Sequence, residues 1–312
     1  MKIVFMGTPG FAIPALDLLI AGSENVVAIV TRPDRPKGRG RKLNPSPVKE
    51  LAERKGIAVF QPEKANDDSF ISQLRALIPD AIVVVAFGHI LPKDILNIPR
   101  FGCINVHASL LPRYRGAAPI NWALINGQNV TGVTTMLMDE GLDTGDILLQ
   151  QEVEIEEGDT AESLHDKLAS IGAELLLETL QRLKEGTMTP VPQDHAKATL
   201  APMLKKGDGL IDWGKEARQI SNLIRALTPW PGSFTHLQGK ILKILKGTAL
   251  EEDPKETAPG TIAGLDREGI RVSTGHGFLL ITEVQLQGHK KMGVADFLRG
   301  HGHKIGLGTT LG

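Results

Sequence analysis

Short runs of β-branched and other apolar residues recur through the first half of the chain, and helical stretches separate the earlier ones. Continuous apolar runs are typical of strands buried on both faces, as in a parallel sheet covered by helices. The sequence therefore predicts an open, doubly wound α/β domain with a mostly parallel sheet, whose ligands bind beyond the carboxyl ends of the strands. The runs are 3–6, 26–30, 81–86, 103–106 and 133–138.

The second half of the chain has a different pattern. Asp159 begins a long amphipathic helix that ends near Gly186. Three prolines and little periodicity then predict a linker, and one more helix follows it. Short strand-like runs punctuated by glycine come last, at 240–245, 260–263, 270–273 and 278–286, and predict a small OB-like β-barrel. We therefore divide the chain into an α/β domain at 1–186, a linker at 187–207 and a β-barrel domain at 208–312.

Composition limits the possible environments and partners. The single cysteine, Cys103, excludes a disulfide framework and a four-cysteine zinc site. No apolar run reaches the roughly 18 residues of a membrane span, and the amino terminus lacks the apolar region of a signal peptide. These features predict a cytoplasmic protein without a membrane partner, and we expect a monomer.

The formal net charge of −1 hides an asymmetry. The chain from Lys205 to Gly312 holds 15 Lys and Arg against 11 Asp and Glu, so the remainder is net negative. A mildly basic second domain indicates an anionic partner, although ordinary surface scatter explains the excess equally well.

The segment from Arg32 to Lys42, RPDRPKGRGRK, has six basic residues, one acid, two prolines and two glycines. Such a segment cannot be a helix or a central strand. The sequence predicts an exposed loop after the second strand, on the ligand side of the sheet.

Asn105 and His107 close an apolar strand and are two residues apart. Side chains alternate along a strand, so the two share a face, with Cα atoms about 6.6 Å apart. Asparagine can donate a hydrogen bond to a developing oxyanion, and histidine can act as a base near neutral pH. A lone histidine is more often a packed core residue, but the pair makes a catalytic interpretation about as probable.

Cys103 lies on the same strand face, yet four strand steps separate it from His107 by about 13 Å. That distance excludes a Cys–His nucleophile pair, so we interpret Cys103 as a small buried residue.

An acidic, glycine-bearing loop follows the run at 133–138 and places four carboxylates within nine residues, 138–146. One of them could orient His107, as the third member of a catalytic triad does. A metal site and a solvated acidic turn are the alternatives, although the spacing of a calcium-binding loop is absent.

The first turn, Gly7 to Gly10, lacks the glycine pattern of a dinucleotide site and the lysine of a phosphate-binding loop.

Several linked motifs resemble the formyltransferase family that uses 10-formyltetrahydrofolate. They are NVHASLLP at 105–112, RYRGAAPI at 113–120, TGVT at 131–134 and LDTGDIL at 142–148. The basic segment, VVVAFGHILP at 83–92 and RALTPWP at 225–231 are similar to the branch of the family that acts on methionyl-tRNA. The resemblance covers nearly the whole chain; Gly10 departs from it, because the family often has an acidic residue there.

The resemblance implies a Rossmann-like catalytic domain and a role for each matching residue. His107 would be the general base, Asp143 its orienting carboxylate and Asn105 the oxyanion donor. Formyl transfer would go from 10-formyltetrahydrofolate to the amino group of initiator methionyl-tRNA, with no metal, and the basic second domain would lie along the tRNA. The folate site would include Ser109, Leu110, Leu111 and Pro112, with the backbone of Gly88, His89, Ile90, Leu91, Asp139, Glu140, Gly141 and Leu142 around the pterin, and the tRNA acceptor stem would meet Arg35, Lys37, Arg39, Arg41 and Lys42.

Three alternatives remain at the level of sequence. A related enzyme that formylates an amino sugar on a nucleotide would share the catalytic motifs, but it would not need six cations in one loop. Glycinamide ribonucleotide formyltransferases resemble the first domain and lack the second. A non-catalytic RNA-binding protein would not need the Asn105, His107 and Asp143 set.

Overall fold

The computed structural model describes residues 1–37, 42–252, 257–302 and 305–312. It divides the chain into two compact units. The first comprises 1–119, 130–154 and 165–202, and the second comprises 120–129, 155–164 and 203–312. Within the described ranges, no helix is both long and apolar enough to cross a membrane.

The first unit is built on a seven-stranded sheet with the strand order β5-β2-β1-β6-β7-β8-β9. The elements up to the long helix are β1 (Lys2–Gly7), α1 (Ile13–Ala21), β2 (Asn25–Val30), β3 (Arg35–Lys37), β4 (Lys42–Asn44), α2 (Pro47–Lys55), β5 (Val59–Phe60), α3 (Asp68–Leu77), β6 (Ala81–Val85), α4 (Lys93–Leu96), β7 (Cys103–His107), α5 (Pro119–Ile125), β8 (Val130–Leu137), β9 (Ile147–Glu154) and α6 (Ala161–Glu185).

The five strands from β5 to β7 are parallel, which confirms the predicted, mostly parallel sheet. β1 is the central strand, with β2 on one side and β6 on the other. Every residue of β6 and β7 is buried, as expected of continuous apolar runs. After β1, the chain adds β2 and then β5 on one side of β1, and it later adds β6 and β7 on the other side. The strand order therefore reverses beside β1, and open α/β sheets bind ligands at such a point.

The last two strands depart from the parallel pattern. β8 runs antiparallel to β7, and β9 runs antiparallel to β8. The apolar run at 133–138 was expected to be one more strand of the parallel set, because a buried run has no feature that reveals its direction. The strand β9 was not predicted from the sequence; it is an edge strand with three consecutive exposed residues in its middle.

The basic segment was predicted to be an exposed loop, but strands at its two ends pair with each other. Arg35–Lys37 pairs antiparallel with Lys42–Asn44, in a two-stranded sheet of its own. Pro36 is compatible with this arrangement because a two-stranded ribbon leaves one side of each strand without a ladder partner. We call residues 35–44 the basic hairpin.

Residues 187–202, most of the predicted linker, belong to the first unit. Val191 exchanges two backbone hydrogen bonds with Ile147, each of 2.8 Å, and Leu200 forms a parallel bridge with Arg115. The segment has little periodicity because single bridges and side chains hold it, together with one short 3₁₀ helix at His195–Lys197.

The second unit contains a six-stranded antiparallel sheet with the order β10-β11-β14-β13-β12, and β15 pairs with β14. Gly312 donates a backbone hydrogen bond to His236, and Leu311 donates one to Gly260, so the end of the chain bridges the two edges of this sheet. The elements are α7 (Ala217–Leu227), β10 (Ser233–Leu237), β11 (Lys240–Leu250), β12 (Ile262–Leu265), β13 (Ile270–Ser273), β14 (Phe278–Leu286), β15 (Met292–Gly293) and α8 (Val294–His301).

The core of the second unit is a single apolar cluster that includes Trp213, Ile244, Val272 and Phe297. The indole of Trp213 donates to the hydroxyl of Thr235 at 3.1 Å, which satisfies its only polar group. The predicted strands at 270–273 and 278–286 have these limits in the structure, whereas β10 and α8 were missed.

Candidate active site

Asn105 and His107 lie at the carboxyl end of β7, and both are buried, with 9% and 6% of their surfaces exposed. Across the antiparallel pair, Asn105 is opposite Met136 and His107 is opposite Thr134. The alternation of the strand places both side chains on one face, as the sequence predicts. A buried, polar pair on one face of a central strand is unusual unless it is hydrogen-bonded or used in chemistry.

The backbone carbonyl of Tyr114 determines which ring nitrogen of His107 carries the proton. The His107 Nε2 atom is 3.0 Å from the carbonyl oxygen of Tyr114. A carbonyl can only accept, so Nε2 carries the proton and donates it in this hydrogen bond. Nδ1 of the neutral ring is then the unprotonated nitrogen, and it is the atom that can act as a base.

Asp143 faces this basic nitrogen. Its Oδ2 atom is 3.7 Å from His107 Nδ1 and accepts a hydrogen bond of 2.8 Å from the backbone N–H of Gly116. The separation from Nδ1 is longer than a hydrogen bond, as is common in catalytic pairs without bound substrate. A carboxylate at this position stabilises the imidazolium that forms once Nδ1 takes up a proton.

The loop that carries Asp143 folds back along β7. Because β8 is antiparallel, its end lies beside Cys103, where Met138 donates a backbone hydrogen bond to Cys103 at 2.8 Å. Asp143 nevertheless reaches His107, at the other end of β7. The backbone of Asp143 is left-handed, with a φ of 53°. Gly145 must be glycine, since an added Cβ would lie 1.8 Å from the Leu137 carbonyl oxygen.

The segment after His107 is closely tied to β8 and β9. The Thr134 hydroxyl donates to the Ser109 carbonyl at 2.6 Å and accepts from the Leu111 N–H at 3.1 Å. The Gln150 amide donates to the Leu111 carbonyl at 2.9 Å. A cis peptide bond joins Leu111 to Pro112. These contacts hold Ser109 to Pro112, the predicted border of the folate site, as a rigid turn.

Two segments predicted to surround the pterin are joined by an ion pair. The Lys93 ammonium is 3.4 Å from the carboxylate of Glu140, so the start of α4 lies against the acidic loop. Both segments expose a large apolar side chain, Ile90 at 75% and Leu142 at 55%. Exposed apolar groups beside backbone polar groups suit a flat heterocycle, which has apolar faces and a hydrogen-bonding edge. Leu91, by contrast, is buried in the core below.

Gly88 and His89 lie beside the base of the basic hairpin. The Arg32 guanidinium donates a short hydrogen bond to the Gly88 carbonyl. Burial lowers the pKa of His89, and the positive charges of Arg32 and Arg35 lower it further. The lowered pKa favours the neutral imidazole of His89, which offers one donor and one acceptor at the edge of the site.

Of the five predicted RNA-contacting residues, only the Arg35 side chain is described, and it is exposed. Lys37 and Lys42 are described in their backbone alone, and Arg39 and Arg41 lie outside the described residues. The base of the hairpin is anchored, because Asp34 accepts from Lys49 at 2.6 Å and from Gln61 at 2.8 Å. These two hydrogen bonds lower the pKa of the Asp34 carboxyl.

Cys103 is buried, as expected, and burial raises the pKa of its thiol to about 12 from a reference of 9.0. At pH 8 a thiol with this pKa has a thiolate fraction, and so a reaction rate, about 10³-fold lower than a thiol with the reference pKa. We expect the folded protein to resist a thiol-reactive disulfide at pH 8 and the protein in guanidinium chloride to react at one site. The absorbance of the released thiolate measures both, and rapid reaction of the native protein would contradict the buried position.

Two residues of the candidate site were not predicted from the sequence. Gln193 and Arg115 are both buried beside the Asp143 loop, where the Gln193 amide donates to the backbone carbonyl of Asp143 at 2.9 Å. Arg115 lies within a family motif, but Gln193 lies in the predicted linker, and no pattern there signals burial.

Among the described residues, no three His, Cys, Asp or Glu side chains are grouped as a metal ion would require.

The family model described as "Formyl transferase" matches residues 1–180, and "Formyl transferase, C-terminal domain" matches 203–302. The chain belongs to this family. It is 56% identical over 300 residues, 96% of each chain, to a methionyl-tRNA formyltransferase of Geobacter metallireducens. It is 50% identical over 312 residues, the full length of both chains, to one of Acetivibrio thermocellus.

Solved structures share the fold at much lower identity. An N-formyltransferase from Helicobacter canadensis, in complex with folinic acid and dTDP-3-aminofucose, has a TM-score of 0.68 and 21% identity, over 94% of this chain and all of that one. HypX from Aquifex aeolicus in complex with tetrahydrofolic acid has a TM-score of 0.63 and 18% identity, over 96% of this chain and 47% of that one. These likenesses concern the fold.

Proposed function

We propose that this chain transfers the formyl group of 10-formyltetrahydrofolate to the α-amino group of initiator methionyl-tRNA. The observation that carries the proposal is the Asp143 carboxylate 3.7 Å from the basic nitrogen of His107, in a chain 50–56% identical along its length to methionyl-tRNA formyltransferases. A location in the cytoplasm and a monomeric state stay predictions.

The reaction needs a base and an oxyanion donor. An α-amino group has a reference pKa of about 7.7–8.0, so a useful neutral fraction is present at neutral pH. Its nitrogen forms a bond to the formyl carbon, which then bears an oxyanion beside an ammonium. Nδ1 of His107 takes the proton from that ammonium and passes it to N10 of the folate as the carbon–N10 bond breaks. No step requires a metal or a covalent link to the enzyme.

Asn105 and Asp143 stabilise the charges that develop during the reaction. The neutral amide of Asn105 donates to the oxyanion, and because the strand already fixes its position, little reorganisation is needed. Asp143 stabilises the His107 imidazolium while Nε2 keeps its hydrogen bond to Tyr114. Ile90 and Leu142 would lie against the pterin, whose polar edge would bond to backbone groups of the two segments that carry them.

A formyl-transfer assay tests the proposal directly. The purified chain is given 10-formyltetrahydrofolate and, in parallel, initiator methionyl-tRNA, elongator methionyl-tRNA and an amino-sugar nucleotide. We expect rapid formylation of the initiator alone. Transfer to the amino sugar without transfer to tRNA would replace the acceptor in the proposal, and failure with every amine would overturn it.

The basic hairpin would contact the acceptor stem through Arg35, Lys37, Arg39, Arg41 and Lys42. Each phosphate contact releases condensed counterions, which contributes about 0.7–0.9 to the log–log salt slope of binding. We therefore expect Arg35→Gln with Arg39→Gln to weaken methionyl-tRNA binding and to lower this slope by about 1–2, with folate affinity unchanged. Fluorescence titrations at several salt concentrations measure both quantities.

A matched control removes two positive charges elsewhere. Arg54 and Lys55 are exposed at the end of α2, away from the hairpin, so changing both to glutamine alters net charge equally. We expect this control to retain nearly the wild-type slope. Equal losses in the two double variants would mean that general charge attracts the RNA, and an unchanged slope in both would remove the hairpin from the interface.

A further inference from the structure

The segment predicted as a linker is fixed beside the acidic loop. Val191 pairs with Ile147 at the start of β9, and Leu200 pairs with Arg115. Thr199 accepts a hydrogen bond of 2.8 Å from the Tyr114 N–H through its hydroxyl. Residues 191–200 are thus held at both ends, and Gln193 lies between the two attachment points.

Gln193 uses both hydrogens of its amide on the loop of Asp143. Its Nε2 atom donates to the Asp143 carbonyl at 2.9 Å and to the Gly145 carbonyl at 2.7 Å. One side chain therefore holds the backbone on both sides of Thr144. The left-handed backbone of Asp143 is uncommon outside glycine, so it needs external contacts of this kind to persist.

Arg115 holds the other end of the same amide. Its Nε and Nη2 atoms donate to Gln193 Oε1 at 3.1 and 2.6 Å, and Nη2 is 3.2 Å from Nδ1 of His195. A buried guanidinium polarises the amide, which strengthens the two hydrogen bonds that the amide donates. Arg115 also lies between Tyr114, which binds His107 Nε2, and Gly116, which binds the Asp143 carboxylate.

We propose that Gln193 is a positioning residue that acts through Asp143. It joins the segment that binds His107 Nε2 to the loop that presents a carboxylate to His107 Nδ1, and so it fixes the separation of the catalytic pair. The assignment rests on the proposed function, since positioning matters only where His107 moves a proton. A misplacement of about 1 Å can lower a rate about 10²-fold.

The variant Gln193→Glu separates positioning from packing. A glutamate has nearly the same shape and still accepts from Arg115, but it cannot donate to the Asp143 and Gly145 carbonyls. We expect kcat for methionyl-tRNA to fall about 10- to 100-fold, while both KM values stay within about threefold. Gln193→Ala, measured in parallel, provides the same test if the glutamate variant does not fold.

A matched control uses another glutamine of the same unit. Gln151 is exposed on β9 and donates only to the neighbouring carbonyl of Glu152, at 3.1 Å. Gln151→Ala should therefore retain wild-type kcat. If the wild-type chain does not formylate methionyl-tRNA at all, the proposed function fails. If the wild type is active and both folded Gln193 variants keep its kcat, the positioning role alone fails.

A double-mutant cycle with Asp143→Asn shows whether Gln193 acts through the carboxylate. Residues that act as a unit have strongly non-additive effects on kcat. In the Asp143→Asn background we expect Gln193→Ala to lower kcat less than threefold, although its effect on the melting temperature should be the same in both backgrounds. Additive losses of kcat would overturn the assignment, because a purely structural role lowers the rate independently of Asp143.

Discussion

Replacing His107 with alanine should lower kcat for methionyl-tRNA about 10²- to 10⁴-fold, the usual contribution of a general acid–base group. The variant loses the nitrogen that accepts the proton from the attacking amine, and the Asp143 carboxylate then has no imidazolium to stabilise. Folate affinity should change little, because the proposed pterin contacts are made by the backbone and the apolar side chains of other segments. Single-turnover kinetics and equilibrium folate titration measure the two quantities.

His107→Gln distinguishes lost chemistry from lost structure, since its amide can still donate to the Tyr114 carbonyl but offers no base. His165 provides a matched control, because its Nδ1 lies 2.9 Å from the Asp166 carboxylate on a more exposed surface of the same unit. His165→Ala should retain wild-type kcat. A correctly folded His107→Gln protein with near-normal kcat would show that another group, or water, moves the proton.

The strand that carries the proposed catalytic pair could be predicted because its pattern depends on local geometry alone. The period of two along β7 places Asn105 and His107 on one face whatever the rest of the chain does. The same reasoning excluded Cys103 as a nucleophile, and its burial agrees with that exclusion. The tautomer of His107 could not be predicted, because it depends on a carbonyl seven residues away in a turn that contains a cis proline.

The position of the Asp143 carboxylate and the contacts that hold its loop depend on tertiary structure. Sequence alone offered four carboxylates without a choice among them, and Asp143 was selected through the family resemblance. The structure shows why no local pattern could decide, since β8 is antiparallel and the loop must return along β7 to reach His107. Gln193 is 50 residues beyond Asp143, in a segment whose order comes from isolated bridges and side-chain hydrogen bonds.

The structure of the basic hairpin could be predicted only in part from the sequence. Its proline and glycine content excluded a helix and a central strand, and the described residues 35–37 and 42–44 form a separate two-stranded sheet. A short ribbon was not anticipated, because three paired residues on each side leave too little alternation to detect. Its anchoring through Asp34, Lys49 and Gln61 joins three separate segments, which no single stretch of sequence reveals.

Replacing Asp143 with asparagine should lower kcat about 10²- to 10⁴-fold, as much as loss of the base itself, because a neutral amide cannot stabilise imidazolium. Asparagine tolerates the left-handed backbone at this position, so the loop should keep its conformation. The amide oxygen can take the place of Oδ2, where it still accepts from the Gly116 N–H and faces His107 Nδ1 but carries no negative charge. The substitution therefore tests charge at one atom, and steady-state kinetics with saturating folate measures it.

Asp146→Asn is the matched control for the same loop. Asp146 contributes its backbone carbonyl to the Leu137 N–H at 2.9 Å, a contact that the substitution leaves intact. We expect this variant to lose less than about tenfold in kcat, because its side chain has no role in the proton transfer. Equal losses in the two variants, or a larger loss for Asp146→Asn, would transfer the orienting role from Asp143 to Asp146, and Gln193 would then support the loop without acting on the base.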